Sequence, residues 1–442
     1  AILFGIHTVS QAQIWNKAKN RLKNKVENKV LNKVDREADK KIDDVLDGDK
    51  TKKKNKEEDK NIQTNTNQGN NNTNNSNTNT LNNQEVKTQN TNLAKPSFKA
   101  YSRFDFVSGE KIIAFEDFSE DEIGDLPARW NSSNAAEVVS LNNAEGRWMK
   151  MSKGSGSFVP EFITEFPDYF TLEYDMIFDY PVGEYAYQRS LITIFSDVTN
   201  PAYDMTDYSP GTNGFTFAVT GKHGNGGLYY TKYTPDSKLN LKGQKENKVL
   251  NSDEGRGQKV HISIWKQKQR MRVYVNETKI FDIPRGFEKG VAVKNLRFYS
   301  ELSEDDDAFY LGNLRYAVGK PDMRSKLITE GKLVTYGITF DVNSAKIKPS
   351  SYGTLKKIAA VLKENPAIKV QIVGHTDSDG SPEANQALSE KRASEIEKTL
   401  INEFSVSSNQ LSSTGKGESQ LLDKGNSLES KARNRRVEFL KL

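Results

Sequence analysis

The stretch richest in chemistry is GHTDSDGSPEANQALSEKRA, residues 374–393. It carries a carboxylate at Asp377, an amide at Asn385 and a guanidinium at Arg392. A strand-like run, IKVQIVG, ends at Gly374, so 375–380 form the loop at its C-terminal end. Ser381 suits an N-cap, and Pro382 suits the first helical position, where its missing N–H costs nothing. On the helix that follows, Asn385 and Arg392 lie about two turns apart and share a face, with Leu388 between them. Helical side chains lean toward the N-terminus, so Arg392 reaches back toward the loop that holds Asp377. Backbone N–H groups at the helix start favour an anion there. Such a constellation could take a zwitterion, with Arg392 gripping a carboxylate and Asp377 an ammonium. A plain salt bridge between Asp377 and Arg392 fits the same spacing, and the spacing leaves both readings open.

The elements needed to position these groups are present in 332–442. VTYGITF (334–340) and IKVQIVG (368–374) read as strands. PSSYGTLKKIAAVLKENP (349–366) reads as a capped helix with Leu355, Ile358, Ala359 and Leu362 on one face. VEFLKL closes the sequence as a last strand. This alternation predicts an α/β domain, one sheet covered by helices.

Residues 101–319 read as all-β, with 320–331 as a linker to the C-terminal domain. Runs such as FTLEYDMIFDY (170–180), GFTFAVTG (214–221) and KVHISIWKQ (259–267) are rich in β-branched and aromatic residues and are separated by turn residues. So many strands with no convincing amphipathic helix predict two packed sheets. KVHISIWKQKQRMRVYVNETKIFDI and FYLGNLRYAVG (309–319) resemble the closing strands of a concanavalin-like (laminin-G-like) jelly roll. That resemblance raises a laminarinase-like glycosidase, whose strand carries Glu-x-Asp-x-x-Glu. Glu173 and Asp175 match, but Phe178 stands where the second glutamate belongs. A retaining glycosidase needs two carboxyl groups about 5 Å apart, so no enzymatic activity is expected. A glycan-binding module remains the alternative.

The N-terminal part differs in composition. Residues 1–12 resemble the tail of a secretory signal, with Ser10 and Ala12 as the small residues of a cleavage site. Residues 13–48 predict a long charged helix, with Leu22, Val26, Val30, Val34, Ala38 and Ile42 four apart. Its first part is basic and its second acidic, opposing the helix dipole, which fits either a solvated helix of marginal stability or one held by a partner or an anionic membrane surface. Residues 49–100 are an Asn- and Thr-rich linker with too few aliphatic side chains to fold. The 442 residues carry a net charge of +5, too mild for nucleic acid, and no cysteine, which rules out disulfides and thiolate metal sites. His7, His223, His261 and His375 show no metal spacing. The acidic runs at 115–125 and 301–309 fit solvated loops better than calcium sites. Neither a metal nor a cofactor is expected.

The C-terminal pattern is similar to the peptidoglycan-binding domain of the OmpA family, and the whole arrangement of basic helix, sandwich and OmpA-like end resembles exported OmpA-family proteins of Bacteroidota. The resemblance rests on Gly374-His375-Thr376-Asp377, Asn385, Leu388-Ser389, Arg392-Ala393, TFDVNSAKIKP (339–349) and NRRVEF (434–439). It implies recognition of the diaminopimelate side chain, whose end carries an ammonium and a carboxylate on one carbon. Asp377 and Arg392 would carry the main contacts, lined by Phe340, Asp341, Asn385 and Leu388. Arg436 is placed with them, although of Arg435 and Arg436 either fits a brace for the sheet. The resemblance further implies a periplasmic protein bound to peptidoglycan and associated with the outer membrane. Its partner there would be an assembly or secretion complex, and the sandwich would present a surface to a protein or glycan.

Overall fold

The computed structural model describes residues 104–442 apart from 182–188, 199–209, 221–226, 237–239, 248 and 251–252. The signal remnant, the charged helix, the linker at 49–100, His7 and His223 lie outside the described residues.

The middle domain is built from alternation. Along the strand Tyr169–Asp179, Phe170, Leu172, Tyr174, Met176 and Phe178 point one way into a shared core with Phe215, Phe217 and Phe298. Two sheets bound that core. In the first, the order is Thr278–Ile283, Arg270–Val275, Val260–Gln267, Tyr169–Asp179, Ala308–Val318, Arg147–Met151 and Ala136–Ser140. Lys111–Glu116 also pairs with Ala308–Val318. In the second, the order is Leu241–Lys245, Leu228–Tyr233, Gly214–Thr220, Ser190–Ser196, Asn295–Leu302, Gly154–Pro160 and Trp130–Ser132.

The other face of Tyr169–Asp179 is equally dry, although it carries Thr171, Glu173 and Asp175. Its cover is the segment entering the sandwich together with the C-terminal domain. Ser108 donates to Glu173 Oε1 at 3.0 Å, and Arg315 Nη1 donates to the Tyr336 carbonyl at 2.7 Å. Phe104, Phe106, Trp265 and Tyr274 from the sandwich side share one apolar cluster with Leu355, Ile358, Ile372 and Ile396 from the C-terminal side. Burying side chains of this size contributes about 2 kcal/mol each. The contact is close. A Cβ on Gly353 would lie 2.1 Å from the Phe106 carbonyl oxygen, so only glycine fits where the helix Tyr352–Glu364 begins. The stretch 320–331, expected to link the domains, instead packs Met323 and Leu327 into the same cluster around a π-helical turn, Ser325–Thr329.

The C-terminal domain has a four-stranded sheet in the order Lys332–Thr335, Val437–Lys441, Val370–Gly374, Leu411–Gly415. The last two run parallel and the other neighbours antiparallel. The helices are Tyr352–Glu364, Pro382–Asn402 and Leu428–Asn434. The expected strand over 334–340 stops at Thr335, after which Phe340 makes only an isolated bridge to Ile347. The Leu411–Gly415 strand and the Leu428–Asn434 helix have no counterpart in the sequence reading. LSSTG is short and polar, and it forms a strand only because Val370–Gly374 lies alongside it. No helix among the described residues is long and apolar enough to cross a membrane.

Candidate functional site

The loop after Val370–Gly374 is built as the capping pattern requires. Ser381 Oγ accepts from the Ala384 backbone N–H at 3.2 Å and opens the helix Pro382–Asn402. Gly374 lets that helix cross the strand end, since a Cβ there would sit 2.5 Å from the Ser389 carbonyl oxygen. Asn385 ties the loop down. Its Nδ2 donates to the Asp379 carbonyl at 3.0 Å and to Glu418 Oε2 at 2.6 Å.

Asp377 is 8% exposed. Its Oδ1 accepts from the Asp379 backbone N–H at 3.3 Å, and its Oδ2 accepts from Arg435 Nη1 at 2.6 Å. Arg392 makes no ion pair with Asp377. Its Nε donates to the Ser344 carbonyl at 2.9 Å, and its guanidinium carbon lies 4.9 Å from the centre of the Phe340 ring. Among the described residues neither Nη group of Arg392 is hydrogen-bonded. Burial lowers the Arg392 pKa; the Asp377 charge opposes that and Arg435 adds to it, so the three groups share one electrostatic neighbourhood. Leu388 is half-buried on the same helix. Asp341, also half-buried, has Lys346 Nζ at 3.4 Å.

Arg436 is placed differently from Arg435. It is 4% exposed, donates from Nε to Glu438 Oε1 at 2.8 Å and from Nη2 to the Gln420 carbonyl at 3.0 Å. It braces the sheet and does not meet Asp377. Arg435 is the arginine at the loop, and consecutive residues entering a strand point to opposite sides. The sequence holds that parity, but which side faces Asp377 depends on the neighbouring strands.

Behind the loop, His375 is buried, and neither ring nitrogen has a hydrogen-bond partner among the described residues. Burial and the Arg436 charge lower its pKa to about 4, against a partial counter-effect from Glu438. The folded pKa lies below the ordinary value of 6.5, so the fold favours neutral imidazole. This costs nothing above pH 6.5. Below it the unfolded chain binds a proton that the folded chain refuses, and stability falls as pH drops from 6.5 toward 4. Urea midpoints measured across that window should fall for the parent and fall less steeply for His375→Gln.

The sandwich reaches this region too. Lys431 pairs with Asp379 at 2.9 Å and also feels Glu120, in the acidic run after Lys111–Glu116. A cleft of about 420 Å³ lies elsewhere, lined by Ser108, Glu110, Met323, Lys326 and Val334, and contains none of the groups above. No three His, Cys, Asp or Glu side chains among the described residues are placed to hold a metal ion.

Residues 339–435 match the OmpA family. The C-terminal domain is OmpA-like. The match includes Phe340, Asp377, Asn385, Arg392 and Arg435, ends one residue before Arg436, and leaves the two-sheet domain outside it. The chain is 36% identical over 111 residues to outer membrane porin F of Pseudomonas aeruginosa, covering 25% of this chain and 32% of the porin. It is 37% identical over 102 residues to a peptidoglycan-associated lipoprotein of Pseudomonas putida, covering 23% of this chain and 60% of that protein. The chain thus spans less than two thirds of the length of these curated relatives. Among solved structures, the peptidoglycan-associated lipoprotein of Burkholderia pseudomallei is similar at 28% identity, with a TM-score of 0.23, covering 24% of this chain and 88% of that chain.

Proposed function

We propose that the chain binds peptidoglycan non-covalently through its OmpA-like domain, taking the ammonium and carboxylate at the end of a diaminopimelate side chain. It thereby holds an outer-membrane-associated protein or complex to the cell wall from the periplasmic side. The observation that carries this reading is the charge layout at the loop. Two guanidinium groups, Arg392 and Arg435, face one carboxylate, Asp377, and Arg435 already holds that carboxylate. Arg392 is left with a backbone carbonyl on Nε and an unused fork of Nη donors. A ligand carboxylate completes that fork in a bidentate pair, and its neighbouring ammonium finds Asp377 Oδ1. Phe340 fixes the plane of the fork from below. Relatives of the domain include a protein named for its association with peptidoglycan, which supports peptidoglycan as the polymer bound.

The two-sheet domain is read as a concanavalin-like sandwich that presents a surface to a protein or glycan and does no chemistry. Burial would raise the Glu173 pKa, but the Arg315 charge and the neighbouring His261, with Nε2 at 3.5 Å, outweigh it and hold the group at about 2. Arg315 also occupies both its oxygens. A carboxylate so engaged is a poor nucleophile and a poorer acid. Phe178 lies on the opposite, core-facing side of the strand.

The test is co-sedimentation of the full chain with sacculi of the diaminopimelate type. The expected result is retention that free diaminopimelate competes away and free lysine does not. Retention absent, or equally sensitive to lysine, would remove the proposed ligand.

A further inference from the structure

A second contribution to the same pocket comes from outside the OmpA-like domain. Arg435 does not stand alone on its loop. Its guanidinium carbon lies 5.1 Å from the centre of the Phe115 ring, on the sandwich strand Lys111–Glu116. The helix Leu428–Asn434, which ends immediately before Arg435, is fastened to that same strand and to the turn before Trp130–Ser132. Glu429 accepts from Arg129 and from the Phe115 backbone N–H, and Arg433 donates to the Ile112 carbonyl. Phe115 also packs beside Ile112, Ala317, Tyr336 and Ala432, a small apolar cluster made from both domains. On this side the Arg435 guanidinium thus lies against a sandwich strand, and the helix that leads into it is tied to the same strand.

We infer that the β-sandwich builds one wall of the peptidoglycan-binding pocket, with Phe115 as a positioning residue that holds Arg435 against Asp377. This rests on the ligand reading above and deepens it: the unit that binds the wall is 104–442, not the OmpA-like domain alone. The physical reason is economy of motion. An arginine side chain has many rotamers, and a ring face lying against the guanidinium removes most of them before the ligand arrives. With Arg435 fixed on Oδ2, Asp377 Oδ1, which among the described residues accepts only the long 3.3 Å bond from the Asp379 N–H, keeps a lone pair in the direction an incoming ammonium needs. Without the ring, Arg435 swings into the pocket and competes with that ammonium for Asp377, or leaves the carboxylate to reorient.

The experiment compares Phe115→Leu, Phe115→Tyr and Asp377→Ala in the full chain, by sacculus co-sedimentation and by competition with free diaminopimelate. Leucine preserves the apolar bulk packed between the domains but removes the ring face. We expect Phe115→Leu to weaken binding about threefold to tenfold with an unchanged melting temperature, and tyrosine to stay within about twofold of the parent. Leucine and tyrosine variants that bind alike, while Asp377→Ala fails to bind, would overturn the wall inference and leave the ligand reading standing. Full binding by Asp377→Ala would overturn both. Should Phe115→Leu fold poorly, Arg129→Gln loosens the same helix from the other side of Glu429. The inference then requires a similar loss of affinity at full occupancy of the folded state, and parent-like affinity would overturn it.

Discussion

Alanine at Asp377 or at Arg392 should each abolish retention on diaminopimelate-type sacculi, with the fold intact. In the proposed complex Arg392 would supply a charge-assisted bidentate grip, in a site whose burial already lowers its pKa. Truncating one partner of such a buried, hydrogen-bonded pair typically costs 2–5 kcal/mol, a loss of roughly thirtyfold or more in affinity. Asp377→Ala removes the carboxylate that Arg435 holds and leaves two cations facing an ammonium, so the loss should be at least as large. The fold survives because Arg435 is 36% exposed and can be hydrated once unpaired. Arg392→Lys discriminates further. It retains the charge but not the planar fork, and should bind more weakly than the parent and more tightly than Arg392→Ala. The readout is the bound fraction in pelleted sacculi, with circular dichroism as the folding control. Unchanged binding in both alanine variants would sink the pocket.

The second large effect is structural. Arg315→Met should destabilise the chain by about 3–5 kcal/mol, because it strips the guanidinium from both oxygens of the buried Glu173 carboxylate and leaves it with His261 Nε2 at 3.5 Å. Glu173 is 2% exposed and lies directly across from Arg315 in adjacent strands. Arg315 Nη2 contacts Glu173 Oε1 at 2.7 Å and Oε2 at 2.8 Å, while Nη1 crosses to the Tyr336 carbonyl of the OmpA-like domain. One substitution thus breaks a buried ion pair and an interdomain hydrogen bond together. Glu173→Leu with Arg315→Met should recover much of the loss, since replacing a buried pair by apolar side chains is often neutral. Denaturant midpoints of the single and double variants decide this. A single variant within about 1 kcal/mol of the parent would show the pair to be hydrated. The neighbouring histidine gives the cluster a pH signature. Burial would lower the His261 pKa, but a hydrogen bond to Asp175, with Oδ1 at 2.7 Å from Nδ1, and the nearby Glu173 carboxylate raise it to about 9. A raised folded pKa stabilises fully below the ordinary 6.5, and that contribution is lost as pH climbs through 9.

What was legible in the sequence was local. The Ser381 cap, the Pro382 start, the shared face of Asn385 and Arg392 and the alternation along 170–178 depend on residues a few positions apart. The chain's own periodicities encode such relations. They suffice to place a carboxylate loop before a helix that carries an arginine, and to predict strands in the middle and alternating elements at the end. The loop's partner was not legible in the same way. Whether Arg435 or Arg436 meets Asp377 is a matter of strand parity against a neighbour 58 residues away. The short LSSTG strand becomes a strand only through the ladder beside it. Glu173 and Asp175, spaced like a glycosidase pair in the sequence, are occupied by Arg315 and His261 from strands that nothing in residues 169–179 identifies. The sequence by itself determined which groups the site has and how they are spaced along one helix. Only the tertiary structure decided which charges meet, and that a sandwich strand stands beside them, because side-chain pairing across strands is set by register and packing between distant segments.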